Sequence, residues 1–210
     1  KDEYVREVFT SSTNMLLTLE FLHFVPKLID VFKQKKSIEA KGISLPQFLQ
    51  FHIESYIIKA STILDPMIIL AASVYRLGIS PRKCNLELLS DNYFMKNSKA
   101  LTLLKNYNKQ ISEIKHHRNL IVHHGNFNDK DLNEIYGLYI VTSQDEEYNP
   151  IFDIHKRNLS ENYILLKIEE LKKRNTEIET SILNLQKAFK PIFDEKLKTN
   201  FFSAMCPKQH

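Results

Sequence analysis

The sequence predicts an all-α protein, an up-and-down bundle of four to six helices with one small β-hairpin insertion. Composition is the first indication, because only 4 Gly and 7 Pro occur among 210 residues, of which 43% are hydrophobic. Such a composition is typical of long regular elements. The second indication is spacing, since apolar residues recur at steps of three and four along most of the chain, as on a buried helix face. A chain of this length is expected to form a single domain over residues 1–210.

The first helical segment extends over about residues 1–36, where apolar residues such as Leu19 and Leu22 follow helical spacing. Pro26 and the polar run "TSSTN" interrupt the segment, so the pattern fits either one long helix or two shorter ones. The charged run "KQKKSIEAKG" then predicts a solvated connection that ends near Gly42.

The second helix has a clear start signal at Ser44, an N-cap residue followed three positions later by Gln47 in a capping-box arrangement. Its apolar stripe continues to Gly78, which ends the helix. Pro66 lies inside this stripe. We expect it to kink the helix, because proline lacks the backbone donor and crowds the preceding turn.

The third long helix is predicted from Ser98 to Gly125, after a short piece over about residues 86–94. Five Lys and Arg residues occur in it against the single acid Glu113, so its charge of 5 − 1 = +4 equals the net charge of the whole chain. Arg118 takes a position of the apolar stripe, where an arginine requires a partner or a surface. This local excess of positive charge permits a polyanionic partner.

In residues 134–155, "EIYGLYIVTSQDEEYNPIFDIH", the apolar residues no longer follow helical spacing. Its β-branched and aromatic runs flank an acidic turn, and this predicts a short β-hairpin. Helical spacing resumes at Ser160 and continues to Ile192.

The cysteines and the hydropathy of the chain indicate the cellular compartment of the protein. Cys84 and Cys206 are far apart in sequence and form neither a disulfide framework nor a metal-binding pair. This fits a reducing cytosol, so we expect a cytoplasmic protein. No apolar run approaches the roughly 20 residues that a membrane span requires, and no membrane is expected among the partners.

Four of the eight histidines lie within "HHRNLIVHH", which raises the question of a metal site. His116 and His123 share a helix face, as do His117 and His124, but their spacing corresponds to about 10.5 Å along the axis. One ion does not bridge that distance. Metal-binding pairs on helices use spacings of three to five residues, and no cysteine pair is near. We therefore expect no metal here, and no other cofactor.

A nucleic-acid surface is a second interpretation of the same helix. Its lysines and histidines predict a basic ridge suited to phosphates, with Tyr107 and Phe127 as stacking surfaces. The lysines concerned are Lys105, Lys109 and Lys115. A charged run of this kind is equally the ordinary solvated face of a helix.

A third interpretation starts from residues 118–123, "RNLIVH", which read as Arg, a polar residue, three further residues and His. At the C-terminal end of an amphipathic helix that Gly125 closes, this pattern resembles the motif of the HEPN family (higher eukaryotes and prokaryotes nucleotide-binding domain). Within that family the chain is similar to the larger bacterial members, which carry extra helices and a small β element. The resemblance covers about residues 10–195.

The resemblance implies a dimeric, metal-independent endoribonuclease in which two copies of the motif meet across the interface. RNA is then the expected substrate and a second copy of the chain the expected partner. It also implies a toxic or effector module of a bacterial stress or phage-defence system, with an antitoxin or sensor protein as a further partner. The expected catalytic residues are Arg118, Asn119 and His123, and the expected substrate contacts are Lys115, His117, His124 and Asn126.

Elementary chemistry is compatible with this implication. Attack of an RNA 2′-hydroxyl on the adjacent phosphorus needs a proton acceptor, a proton donor and positive charge; histidine serves either proton role, and arginine presents a planar fork to phosphate oxygens. On a straight helix Arg118 and His123 are about 140° apart around the axis and about 7.5 Å apart along it, so one chain does not place them side by side. A two-fold dimer brings both copies around one cleft.

Two other functions remain open at this point. The first is a non-catalytic HEPN-like module that binds RNA or another protein and keeps the motif for dimer packing. The second is a helical scaffold in which the histidine cluster has no function.

Overall fold

The computed structural model describes residues 2–32, 42–125, 127–144 and 150–205. These residues form α-helices and contain no strand, so the predicted all-α class is confirmed. The described helices are α1 (Asp2–Phe32), α2 (Leu45–Thr62), α3 (Leu64–Tyr75), α4 (Leu86–Asp91), α5 (Lys99–Gln110), α6 (Ser112–His124), α7 (Lys130–Gln144) and α8 (Pro150–Met205).

Helix α2 begins with the predicted capping box. The Ser44 N–H donates to Gln47 Oε1 at 2.9 Å, and the Gln47 N–H donates to Ser44 Oγ at 3.5 Å. Only Ile63 separates α2 from α3, three residues before Pro66. The interruption therefore falls in the turn preceding the proline, where the missing donor and the ring crowding are expected to act.

The predicted third helix is interrupted once. Ser98 caps α5, because its Oγ accepts the Leu101 N–H at 3.1 Å, and Gly125 follows α6 with a φ of 63°. Between the two helices Ile111 has φ −90° and ψ 9°, and its side chain is 1% exposed. This backbone geometry belongs to turns, and burial of the isoleucine holds the chain there. The prediction of one uninterrupted helix is wrong.

The prediction of a β-hairpin over residues 134–155 is also wrong. Residues 134–144 belong to α7 and residues 150–155 to α8. Helix α7 begins at a capped end, where Asp129 Oδ1 accepts the Leu132 N–H at 3.2 Å. Its buried residues Leu132 and Ile135 lie three apart, on one helix face. The cap and this buried stripe outweigh the β-propensity of the run, which depends strongly on packing context.

The chain divides into two compact units. Unit 1 contains Lys1–Leu19, Thr62–Ser112 and Glu177–His210, and unit 2 contains Glu20–Ser61 and Glu113–Thr176. Each has its own fully buried side chains, for example Met15, Ile63, Met67, Leu70, Leu89 and Met95 in unit 1, and Leu22, Ile29, Leu49, Ile53 and Tyr56 in unit 2. The expectation of a single domain over residues 1–210 stays a prediction.

A buried asparagine connects three helices of unit 2. Asn175 of α8 is 1% exposed; its Oδ1 accepts the Tyr56 hydroxyl of α2 at 2.9 Å, and its Nδ2 donates to the Leu22 carbonyl of α1 at 3.0 Å. Because polar atoms buried without a partner are costly, these bonds make the pairing of the three segments specific.

The stretch Leu45–Tyr75 is long and apolar enough to cross a membrane by length and composition alone. Its most apolar window is 61% buried inside the protein. A core helix passes the same test of length and composition, so the stretch by itself carries no membrane assignment.

Candidate functional site

Arg118 lies on the exposed part of α6 beside Asn119. The arginine is half-buried, the asparagine is exposed, and Arg118 Nη1 donates to Asn119 Oδ1 at 3.1 Å. This bond engages one of the five N–H groups of a guanidinium and restrains its rotation. The side chain predicted to meet phosphate therefore has its orientation restrained by its own neighbour in the sequence.

His123 lies in the last turn of α6 and is exposed to solvent. The helix ends one residue later, and the following Gly125 donates its N–H to the Ile121 carbonyl at 3.0 Å and takes a positive φ. Glycine adopts this left-handed conformation without the strain of a Cβ. An imidazole at such an end is accessible to substrate and to proton exchange with water.

Val122, between the motif residues, is 51% exposed. A single exposed aliphatic side chain is ordinary on a protein surface and does not by itself identify an interface.

The predicted substrate contacts fall into two groups. Lys115 and His117 are half-buried on α6. The His124 side chain and all of Asn126 lie outside the described residues, so their assignment stays a prediction. Within the described part of the chain, no group of three or more His, Cys, Asp or Glu side chains is arranged to hold a metal ion.

Next to α6, unit 2 contains a cavity of about 140 Å³. Its lining combines aliphatic and aromatic residues, among them Tyr56 and Ile57 of α2, with polar residues, among them His117 and Arg174. Phe127, Asn128 and Asp129, which directly follow the motif helix, also line it. The mixture of apolar and polar lining is that of ligand pockets, but the volume is below the roughly 300 Å³ of a drug-sized site, so the cavity offers room for a small planar group only.

The segment that follows α6 is fixed by Asp129. Its Oδ2 accepts the Tyr163 hydroxyl at 2.9 Å and lies 3.2 Å from Lys167 Nζ, while Oδ1 caps α7. Burial by itself raises the pKa of Asp129, but the Lys167 charge and the donated hydrogen bonds outweigh it, and the net pKa lies below its ordinary value. Asp129 is therefore an ionised carboxylate held in a mostly buried place.

The same network continues along α8. Lys167 Nζ lies 2.9 Å from Glu170 Oε2, and Arg174 Nε lies 3.1 Å from Glu170 Oε1. Arg174 Nη2 then reaches Glu113 Oε2 at 3.3 Å, at the beginning of α6. Burial raises the pKa of Glu170, but its two cationic partners lower it further, below the ordinary value.

These contacts connect α8 to the beginning of the motif helix and to the segment that follows it. Glu113 stands in the first turn of α6 and Asp129 follows its last turn, and α8 contacts both through Arg174 and Lys167. Sequence reasoning missed all of these residues. The spacing of Lys167, Glu170 and Arg174, three and four residues apart, is the signal that was available, because such positions are neighbours on a helix.

The comparison with protein families gives one finding. The family model described as Cthe2314-like HEPN matches residues 12–156, which are 145 of the 210 residues and include the motif at 118–123. No curated protein and no solved structure matches the chain.

Proposed function

The chain belongs to the HEPN family, and on this basis we propose that it is a metal-independent endoribonuclease that acts as a homodimer. Arg118, Asn119 and His123 from both chains are its catalytic residues. The observation that carries the proposal is the exposed end of α6, where Asn119 accepts a hydrogen bond from Arg118 and His123 is open to solvent.

The reaction is an internal transesterification of RNA. The 2′-oxygen forms a bond to the adjacent phosphorus, the bond from phosphorus to the 5′-oxygen breaks, and the products end in a 2′,3′-cyclic phosphate and a 5′-hydroxyl. The His123 imidazole accepts the 2′-hydroxyl proton, and the departing 5′-oxygen takes up a proton from the resulting imidazolium or from water. Arg118 pairs with the non-bridging oxygens as negative charge builds up on them.

The dimer follows from the helix geometry. Within one straight helix Arg118 and His123 project about 140° apart, so a second chain is needed to supply the complementary group. Val122, 51% exposed beside them, is the apolar contact that a second α6 covers. A two-fold axis near this residue makes each interface patch pair with itself.

The cavity beside α6 is the proposed place for one base of the RNA. His117 of α6 lines the cavity, and the aromatic ring of Phe127, in the same lining, offers a stacking surface. Lys115, two residues before His117 on α6, is a further proposed contact outside the cavity. A base bound in this cavity aligns the scissile phosphate with the motif. The motif residues carry out the proton transfers. Action within a bacterial stress or phage-defence system is part of the same proposal.

The test is cleavage of a labelled single-stranded RNA in EDTA by the full chain and by Arg118→Ala and His123→Ala. We expect the rate to fall about 100-fold or more in each variant, the range that loss of an acid–base group or of a charge-stabilising donor produces. His155→Ala and Arg157→Ala are matched controls, because both residues are exposed and lie outside the motif. Cleavage that survives both motif substitutions would refute the assignment.

A non-catalytic HEPN-like module that binds RNA or another protein is the alternative function, and the Arg118–Asn119 bond is also compatible with it. The same experiment separates the two. Retention of RNA on a gel without cleavage at any pH, weakened by Arg118→Ala, supports the binding module and excludes the nuclease.

A further inference from the structure

Helix α1 carries large apolar side chains on more than one face. One face is buried, for example at Leu22, Val25 and Ile29, none of which is more than 1% exposed. The rest of the helix surface is open, yet it too carries large hydrophobic side chains, with exposed fractions from 38% to 70%. They include Val5, Phe9, Leu16, Leu17, Phe21, Phe24 and Val31. A single exposed apolar side chain is ordinary, but a helix that is apolar all round is typical of a buried one.

The C-terminal half of this open surface follows a regular spacing. Leu17, Phe21, Phe24, Leu28 and Val31 are four, three, four and three residues apart, and we call these five residues the α1 seam. Leu28 is half-buried and the other four are exposed. At 100° per residue the seam is centred about 140° around the helix from the buried residues. Apolar residues at alternating steps of four and three are those with which one helix packs lengthwise against another.

Two charged residues of opposite sign flank the α1 seam on one side. Glu20 and Lys27 are seven residues apart and so occupy the same position of successive heptads. Both are exposed, and within the described part of the chain neither forms an ion pair. In an antiparallel helix pair residues at this position lie opposite each other, whereas a parallel pair would set Glu20 opposite Val25. Only the antiparallel pair of two α1 helices therefore brings Glu20 of each copy beside Lys27 of the other.

The same antiparallel register matches the side chains of the seam by size. With the charges paired in this way, Phe21 lies opposite Phe24 of the second copy, and Leu17 lies opposite Leu28 of the second copy. Because the axis between the helices is two-fold, each of these contacts occurs twice. Phe21 is 38% exposed even though Lys59 Nζ of α2 lies 5.7 Å from its ring centroid. The α1 seam is thus complementary to itself in both size and charge.

The area of the α1 seam corresponds to a weak association. Given the exposed fractions of its side chains, the seam presents about 400 Å² per chain. Together with the flanking Glu20 and Lys27, two copies would cover about 1,000 Å² in total, whereas stable specific interfaces usually bury about 1,200–2,000 Å². Interfaces of the smaller size belong to transient complexes, so we expect pairing only at a protein concentration of about 10–100 μM or higher.

From these features we propose that α1 is a self-association surface, in which the α1 seams of two chains pack antiparallel around a two-fold axis. A second copy of the chain is the occupant because the seam supplies both the matching apolar side chains and the matching charges. This contact is additional to the dimer proposed at α6. It lies on a different helix and does not depend on RNA cleavage.

Sedimentation velocity of the full chain at about 5 μM and about 300 μM tests the proposal. We expect the molar mass at least to double between the two concentrations. Phe24→Glu should abolish the increase, because pairing would bury an unpaired charge against Phe21 of the second copy. Phe94→Glu is the matched control, since Phe94 is 69% exposed but lies outside α1, and it should associate like the unmodified chain. A constant mass of the unmodified chain, or an equal loss in both variants, would overturn the proposal.

The same measurement separates this contact from the one at α6. The mass at low concentration reports the α6 contact, and the increase with concentration reports the α1 seam. Val122→Asp should therefore be a monomer at about 5 μM and still double in mass at about 300 μM, because one chain carries one seam. Loss of the increase in Val122→Asp would contradict an α1 contact that forms independently of α6.

An exchange of charges tests the antiparallel register. Glu20→Lys sets like charges against each other across the seam, so we expect the Kd of association to rise about 3- to 10-fold. Combining Glu20→Lys with Lys27→Glu restores both opposite pairs and should return the Kd to that of the unmodified chain. Equal Kd values for the single and the double variant would refute the antiparallel pairing.

Discussion

Replacing Asp129 with asparagine tests whether the charged network of unit 2 stabilises the surroundings of the motif helix. Asp129 and Lys167 have side chains only 12% and 16% exposed, so their 3.2 Å ion pair is poorly screened by water. Asparagine keeps the size of the side chain and still accepts the Leu132 N–H, which isolates the effect of the charge. Tyr163 loses a charged acceptor at the same time.

The expected loss follows from the bonds that change. A hydrogen bond to a charged group contributes about 1.5–3 kcal/mol and a neutral one about 0.5–1.5 kcal/mol, so weakening the bonds to Lys167 and Tyr163 lowers the free energy of unfolding by about 2 kcal/mol. Lys167 retains Glu170 at 2.9 Å, which keeps the loss below the roughly 3–5 kcal/mol of a buried charge left without any partner. A chain of this size then melts about 4–8 °C lower.

The assay is urea and thermal unfolding followed by far-ultraviolet circular dichroism, with Asp131→Asn as matched control. Asp131 is an exposed aspartate in the first turn of α7, and its substitution is expected to change stability by about 0.5 kcal/mol or less. Combining Asp129→Asn with Lys167→Met completes a double-mutant cycle, in which the pair should lose less than the sum of the single variants. Equal stability of Asp129→Asn and Asp131→Asn, or an additive cycle, refutes this reasoning.

The same carboxylates make stability depend on pH. The pKa values of Asp129 and Glu170 are lower in the folded chain than their ordinary values, so the unfolded chain binds more protons in the acidic range. Their contribution is complete above the ordinary carboxylate pKa of about 4 and is lost as pH falls through the lowered, folded pKa. Asp129→Asn should therefore flatten the acidic decrease in stability, and an unchanged slope below about pH 4 contradicts the assignment.

Three further outcomes are expected. Mixing Arg118→Ala with His123→Ala should restore cleavage to at most about a quarter of the wild-type rate. Half of the randomly mixed dimers are heterodimers, and each heterodimer keeps one of its two inter-chain Arg118–His123 pairs intact. No recovery, in a mixture shown to exchange chains, argues against a shared site. Val122→Asp should shift the chain from dimer to monomer in sedimentation velocity and abolish cleavage, whereas a dimer that persists places the interface elsewhere. Asn175→Ala should cost about 2–4 kcal/mol in urea unfolding, since it leaves the buried Tyr56 hydroxyl and Leu22 carbonyl without this partner, and a loss below about 1 kcal/mol contradicts that role.

Local signals in the sequence predicted the helix starts well. Ser44 with Gln47, and Ser98 before α5, satisfy backbone N–H groups within three residues of themselves, so their effect is encoded in the immediate sequence. Gly125 likewise closes α6 through its own freedom at positive φ. The residues of the motif could be named for the same reason, because spacing along one helix fixes which side chains share a face.

The misassigned elements have a common cause. Residues 134–144 carry a β-like composition, but Asp129 caps them as a helix and the buried Leu132 and Ile135 give that helix its packed face. At Ile111, where the side chain is buried, the helix is interrupted, although the spacing of apolar residues predicts one continuous helix. The cap at Asp129 is a local signal that the β-like composition obscured, whereas the burial of Leu132, Ile135 and Ile111 depends on partners that a window of neighbouring residues does not contain.

The sequence by itself determined the helical class, the capped helix ends and the composition of the motif at 118–123, since these depend on residues within one or two turns of each other. Only the tertiary structure decided that α8 contacts the start of α6 through Arg174 and Glu113, and the start of α7 through Lys167 and Asp129. Ion pairs and cavities join residues tens of positions apart. The energy of an ion pair depends on its burial and on the distance between the charges. Packing determines both quantities, and the order of residues along the chain does not.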